Sequence, residues 1–159
     1  LKNDDFNKAN SSPFFMNVTF HQTIANDFAN LHGLMEGATQ FLESQGVDAQ
    51  AVYRSNLALE EMVTNIIKYG YDAPGRHKIE VTLEVGAKEV ALVIVDDGHD
   101  FNPLLHERKL PSDKLEEREI GGLGIHLMKK LLDRMEHRRE GGRNILEIKI
   151  LRKLAPPAA

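Results

Sequence analysis

The chain has 159 residues, 42% of them hydrophobic and 28% charged, with a net charge of −4. That length suits a single domain with one substantial core, and the composition excludes a chain disordered throughout. The mild acidity, with Lys and Arg interspersed among Asp and Glu, argues against direct nucleic-acid binding, and the lack of cysteine removes disulfides, thiolate metal sites and cysteine nucleophiles.

Residues 1–12 are polar and are expected to be a flexible N-terminus ahead of one domain over 13–153, with a flexible tail at 154–159. "FFMNVTFH" alternates Phe14, Met16, Val18 and Phe20 against Phe15, Asn17, Thr19 and His21, which predicts a strand. From Ile24 to about Ser44 the apolar residues Ile24, Phe28, Leu31, Leu34, Met35, Ala38, Phe41 and Leu42 keep helical spacing, with Gly46 as the stop. Asp48 can cap a second helix that Gly70 and the "DAPG" turn end. Its stretch "LALEEMVTNIIKYGY" buries Leu59, Met62, Val63, Ile66 and Ile67, while Glu61, Asn65 and Lys68 fall within about 60° of one another on the other side.

"KIEVTLEV", the turn "GAK" and "EVALVIVDDG" predict a hairpin. Its first strand has one solvated face, and its second is apolar on both sides and belongs nearer the sheet centre. Residues 99–120 are charged and irregular, too long for a routine connection. "GGLGIHLMKKLLDRM" then predicts a helix with Ile125, Met128, Leu131, Leu132 and Met135 on its apolar face, and "EHRRE-GGR-NILEIKI" a closing hairpin. Together these elements predict an α+β two-layer sandwich, a mixed and mostly antiparallel sheet with helices on one face. The longest apolar run, "VALVIV", is too short to cross a bilayer and the first residues lack a signal-peptide core, so neither membrane insertion nor export is expected.

Three constellations could carry chemistry. Glu61 and Asn65 stand one helical turn apart, so a carboxylate able to take a proton lies beside an amide oxygen able to ligate a hard cation such as Mg²⁺. Taken alone, the pair reads first as the solvated face of a helix, and it needs the company of other motifs to count as a site. Asp96 and Gly98 end the most apolar strand, placing an acceptor suited to an adenine amine at a turn where backbone can approach a ligand; "DDG" is also a good hairpin turn. "GGLG" runs straight into a helix, whose free N–H groups and dipole suit phosphate oxygens, though it is neither a Walker A loop nor a dinucleotide fingerprint. His99 and Asp100 read as solvated loop residues in place of metal ligands, and Asn144 as a turn residue unless something nearby needs its amide.

Taken in order, "LALEEMVTNIIKYGY", "VIVDDGHDFNPL" and "GGLGIHLMKKLLD", closed by "GGRNILEIKI", resemble the N box and two glycine boxes of the GHKL superfamily. The likeness is nearest to the anti-sigma factor serine/threonine kinases of the RsbW/SpoIIAB type. It covers about residues 14–152 and implies the Bergerat ATP-binding fold, with residues 99–120 as the ATP lid. It further implies Glu61 as general base and Asn65 as the Mg²⁺ ligand bridging to ATP. Asp96 would accept from the adenine amine, with Gly98 giving the base room. Gly121, Gly122, Leu123, Gly124 and Ile125 match the segment whose amides hold the phosphates. Asn144 stands where many relatives have a Thr beside the adenine, and Asp100 replaces a second glycine.

The implied function is an ATP- and Mg²⁺-dependent protein serine/threonine kinase, cytoplasmic and homodimeric, that phosphorylates a STAS-domain anti-anti-sigma protein and sequesters a sigma factor. The other readings are an ATP-binding partner switch with little kinase activity, or a GHKL ATPase or sensor-kinase ATP domain.

Overall fold

The computed structural model describes residues 18–72, 77–105 and 122–153. The polar N-terminus, residues 14–17 of the first expected strand, most of the expected lid, Gly121 and the tail lie outside them. Five strands, β1 (Val18–Ala25), β2 (Lys78–Val85), β3 (Glu89–Asp96), β4 (Arg134–Glu140) and β5 (Arg143–Leu151), form one sheet in the order β1-β2-β3-β5-β4. Every pairing among them is antiparallel. The doubly apolar β3 therefore occupies the central position, as its sequence predicts.

Alternation sets which face is covered. Ile79, Val81, Leu83 and Val85 of β2, Val90, Leu92 and Ile94 of β3, and Leu146, Ile148 and Ile150 of β5 are buried against three helices. Those helices are α1 (Leu31–Ser44), α2 (Ala49–Tyr69) and α3 (Gly122–Leu131). They bury Leu34, Ala38 and Leu42 from α1, Leu59, Met62 and Val63 from α2, and Ile125 and Met128 from α3 in the same core. The result is a helical layer over one face of an antiparallel sheet, the two-layer α+β sandwich. Among the described residues no helix is long and apolar enough to cross a membrane.

Several local signals act where the sequence puts them. Asp48 caps α2, its side chain accepting from Ala51 N at 3.2 Å, and Gly70 follows the last residue of that helix. Gly46, at φ 65°, follows the end of α1. Two boundaries differ from expectation. Ile24 is the buried end of β1 and not the first turn of a helix, because pairing with Ile79 extends the strand to Ala25. Phe28 then sits in a single 3-10 turn (Phe28–Asn30) capped by Asp27 and stays 47% exposed, so helical spacing overstated its burial. Likewise α3 stops at Leu131, and Met135 packs on the core from β4. The helix ends there because Arg54 of α2 binds the Leu131 carbonyl at 3.2 Å and Asp133 at 2.9 Å, while Asp133 accepts from Leu151 N at 2.8 Å. A cation at the carbonyl end of a helix complements its dipole and satisfies a terminal carbonyl that has no further turn to accept from.

Candidate functional site

The polar edge of α2 faces the start of α3. Glu60 points to solvent, whereas Glu61 is half-buried against the glycine helix entry. A Cβ added at Gly124 would fall onto the Glu61 carboxylate, 2.5 Å from Cδ. A larger residue there would make the Glu61 side chain turn aside, so the carboxylate and the first turn of α3 are in direct contact. The N–H groups of that turn have no intrahelical acceptors. Asn65, one turn on from Glu61, has its Nδ2 buried without a hydrogen-bond partner among the described residues. An orphaned buried amide costs stability and marks a place where a further group is wanted. Lys68 does not turn toward α3: its ammonium lies 6.0 Å from the centre of the Phe28 ring.

Asp96 ends β3 on the covered face and is buried at 5% exposure, directly opposite Asn144 of β5, which is 6% exposed. Its Oδ1 accepts from Gly98 N at 2.8 Å and from Asn144 Nδ2 at 3.0 Å. Two donors on one oxygen fix the orientation of the carboxylate. Gly98 is packed against α2's end: a Cβ there would stand 2.6 Å from Gly70 O and 2.8 Å from Asp96 Oδ1. His99 N donates to the same Gly70 carbonyl at 2.8 Å, which bolts the 96–99 turn to the helix terminus. Asn144 Nδ2 also donates to His99 O at 2.7 Å.

The rim carries charge that the sequence did not single out. Tyr71 stacks on His77 with ring centres 4.1 Å apart, and both reach Asp97 at 3.2 Å. Burial pushes the Asp97 carboxyl up, but hydrogen bonds from His77 and Tyr71 and the nearby imidazole outweigh it, so the carboxyl titrates below its ordinary range. Tyr71 is pushed well above a free phenol, first by burial and then by the charges of Asp96 and Asp97. His99 pairs with Asp72 at 3.0 Å. Lys129 of α3 donates to Leu104 O at 2.7 Å, tying the stretch after Asp96 to that helix.

Glu61, Asn65 and Gly124 thus meet at one end of α2, and Asp96, Gly98 and Asn144 meet at the end of β3 and β5. Gly122, Leu123 and Ile125 open α3, with Ile125 buried in the core. A half-buried carboxylate against a glycine helix entry at one place, and a fixed carboxylate acceptor at another, are the chemical groups the structure brings together.

A model of the histidine kinase-like ATPase domain matches residues 24–150. The chain belongs to that family. This histidine kinase-like ATPase domain is 24% identical over 99 residues to the serine-protein kinase RsbW of Bacillus velezensis, covering 60% of this chain and 62% of the relative. It is 30% identical over 104 residues to the RsbW of Staphylococcus aureus, covering 62% and 65%. The aligned stretch therefore spans under two thirds of those relatives. The crystal structure of the RsbU and RsbW domains of a Mycobacterium tuberculosis protein superposes with a TM-score of 0.60 at 15% identity, over 89% of this chain and 35% of that one, and so shares its fold. The GHKL resemblance and the two-layer fold it implies are both borne out.

One contributor to the domain's site escaped the sequence. Arg139 of β4 donates from Nη1 to Asn144 Oδ1 at 2.8 Å and to Gly98 O at 3.1 Å. The signal was available in the two-residue turn Gly141–Gly142, which pairs Glu140 with Arg143 and hence Arg139 with Asn144.

Proposed function

We propose that this domain is an ATP-dependent protein serine/threonine kinase of the anti-sigma factor type. On this reading it acts in the cytoplasm as a homodimer, phosphorylates a Ser or Thr of a STAS-domain anti-anti-sigma protein, and sequesters a sigma factor. The observation that carries this reading is the contact between Glu61 and the glycine entry of α3, because it sets a proton acceptor against a phosphate cradle. A domain that merely binds nucleotide needs the cradle alone.

Asn65 would hold Mg²⁺ through its amide oxygen, a hard donor, while its buried Nδ2, without a partner among the described residues, is a free N–H donor suited to a phosphate oxygen. No group of three His, Cys, Asp or Glu side chains capable of holding a metal occurs among the described residues, and Mg²⁺ commonly takes water and substrate phosphates as ligands beside one or two protein oxygens. When bound, Mg²⁺ supplies positive charge to the β- and γ-phosphates. Asp96 accepts a hydrogen bond from the adenine amine, Gly98 leaves room for the ring, and the amides at 121–125 hold phosphate oxygens. Glu61 takes the proton of the substrate hydroxyl as its oxygen bonds to the γ-phosphorus; the bond from that phosphorus to the β–γ bridging oxygen breaks, and ADP leaves with the electron pair.

The test is incubation with γ-labelled ATP, Mg²⁺ and a STAS-domain protein. Wild type should label a Ser or Thr of the partner, and Glu61→Gln should transfer label at least about a hundredfold more slowly while still binding ATP. Binding without transfer by either form would replace the kinase with a nucleotide-gated switch.

A further inference from the structure

We propose that Arg139 is a positioning residue for nucleobase choice, acting through Asn144 on Asp96; this rests on the nucleotide-site reading above. A guanidinium can only donate, so the Asn144 atom 2.8 Å from Arg139 Nη1 must be the amide oxygen. The amide nitrogen is thereby turned toward two acceptors, Asp96 Oδ1 at 3.0 Å and His99 O at 2.7 Å. All three side chains lie on one face of adjacent strands, Asp96 and Asn144 buried and Arg139 exposed, with Asn144 opposite both Asp96 and Arg139. Asn144 is 6% exposed beneath Arg139, which is exposed, so without the guanidinium mobile water would take its place on the amide oxygen and the fixed contact that sets the amide's direction would be lost. An amide free to turn would release Asp96 Oδ1 and His99 O together. Arg139 also holds Gly98 O at 3.1 Å, on the turn that gives a base its room.

The consequence is selectivity. A carboxylate held by Gly98 N and Asn144 on Oδ1 keeps a fixed aim, favours a base presenting an exocyclic amine, and rejects one presenting a carbonyl oxygen at the same place. A carboxylate free to rotate discriminates less.

The experiment compares calorimetric affinities for ATP and for inosine triphosphate, which replaces the amine with a carbonyl, in wild type, Arg139→Ala and Arg139→Lys. Wild type should prefer ATP, Arg139→Ala should lose about tenfold of that preference, and Arg139→Lys should recover part of it through its single ammonium. Arg139→Met, which keeps the stem, carries the same expectation if the alanine variant does not fold. Equal weakening for both nucleotides, or an unchanged preference, would make Arg139 a structural prop and overturn the proposal alone. A wild type indifferent between the two nucleotides would overturn the adenine-site reading and this proposal with it.

Discussion

On the proposed reading, Asn65 is the residue at which stability and function part company. An Asn inside a helix forgoes about 0.5 kcal/mol of propensity relative to Ala, and here its Nδ2 is also buried without a partner among the described residues. Asn65→Ala should therefore raise the thermal midpoint of the nucleotide-free protein, by about 2–4 °C for a gain of ~1 kcal/mol. The same variant should lose affinity for Mg²⁺-ATP, about tenfold or more, and scanning calorimetry with and without ligand reads both effects. A lower midpoint with full nucleotide affinity would remove Asn65 from the site. Local sequence could not decide this residue, because a polar helix face looks alike whether it meets water or a ligand. Only the downstream Asp96 and glycine entry gave its position a meaning.

Helix α3 is the element whose placement matters most to the chemistry. Adding a methyl group at Gly124 ordinarily helps a helix by up to about 1 kcal/mol, yet here it would strike the Glu61 carboxylate. Gly124→Ala should bring the wild type less than that gain, because the Glu61 carboxylate must turn aside. In a Glu61→Ala background the same change should bring the full gain, and urea unfolding of the four proteins measures the difference. Equal effects in both backgrounds would mean the two residues do not touch. Element identities were legible from periodicity, since β2, β3, α1, α2 and the last hairpin stand where alternation and helical spacing put them. Boundaries were not, and for a physical reason: Ile24 and Met135 satisfy helical spacing equally well, but strand pairing claims them.

Across the whole molecule, Asp48 links distant parts of the chain. Its side chain caps α2 at Ala51 N and also accepts from Lys153 N at 2.7 Å, just past the end of β5. Burial pushes this carboxyl up, but the backbone donors of Lys153, Ala51 and Gln50 outweigh it and lower its titration. A carboxyl lowered by folding stabilises fully above its unfolded value of about 3.9, and the contribution is lost as pH falls through the folded value. Asp48→Ala should thus flatten the loss of stability from about pH 5 downward and cost ~1 kcal/mol at neutral pH. Urea midpoints from pH 7 to pH 3 test it, and parallel curves for both proteins would count against the link. Pairing of this kind, like that of Arg139 with Asn144, joins residues through register and not through neighbourhood in the chain, which is why the sequence hid it. The turn at Gly141–Gly142 shows how far that reaches. It acts as a ruler: with one residue more, the side chain opposite Asn144 would come from the other face of β4, and loop length there is as much a part of base choice as any functional group.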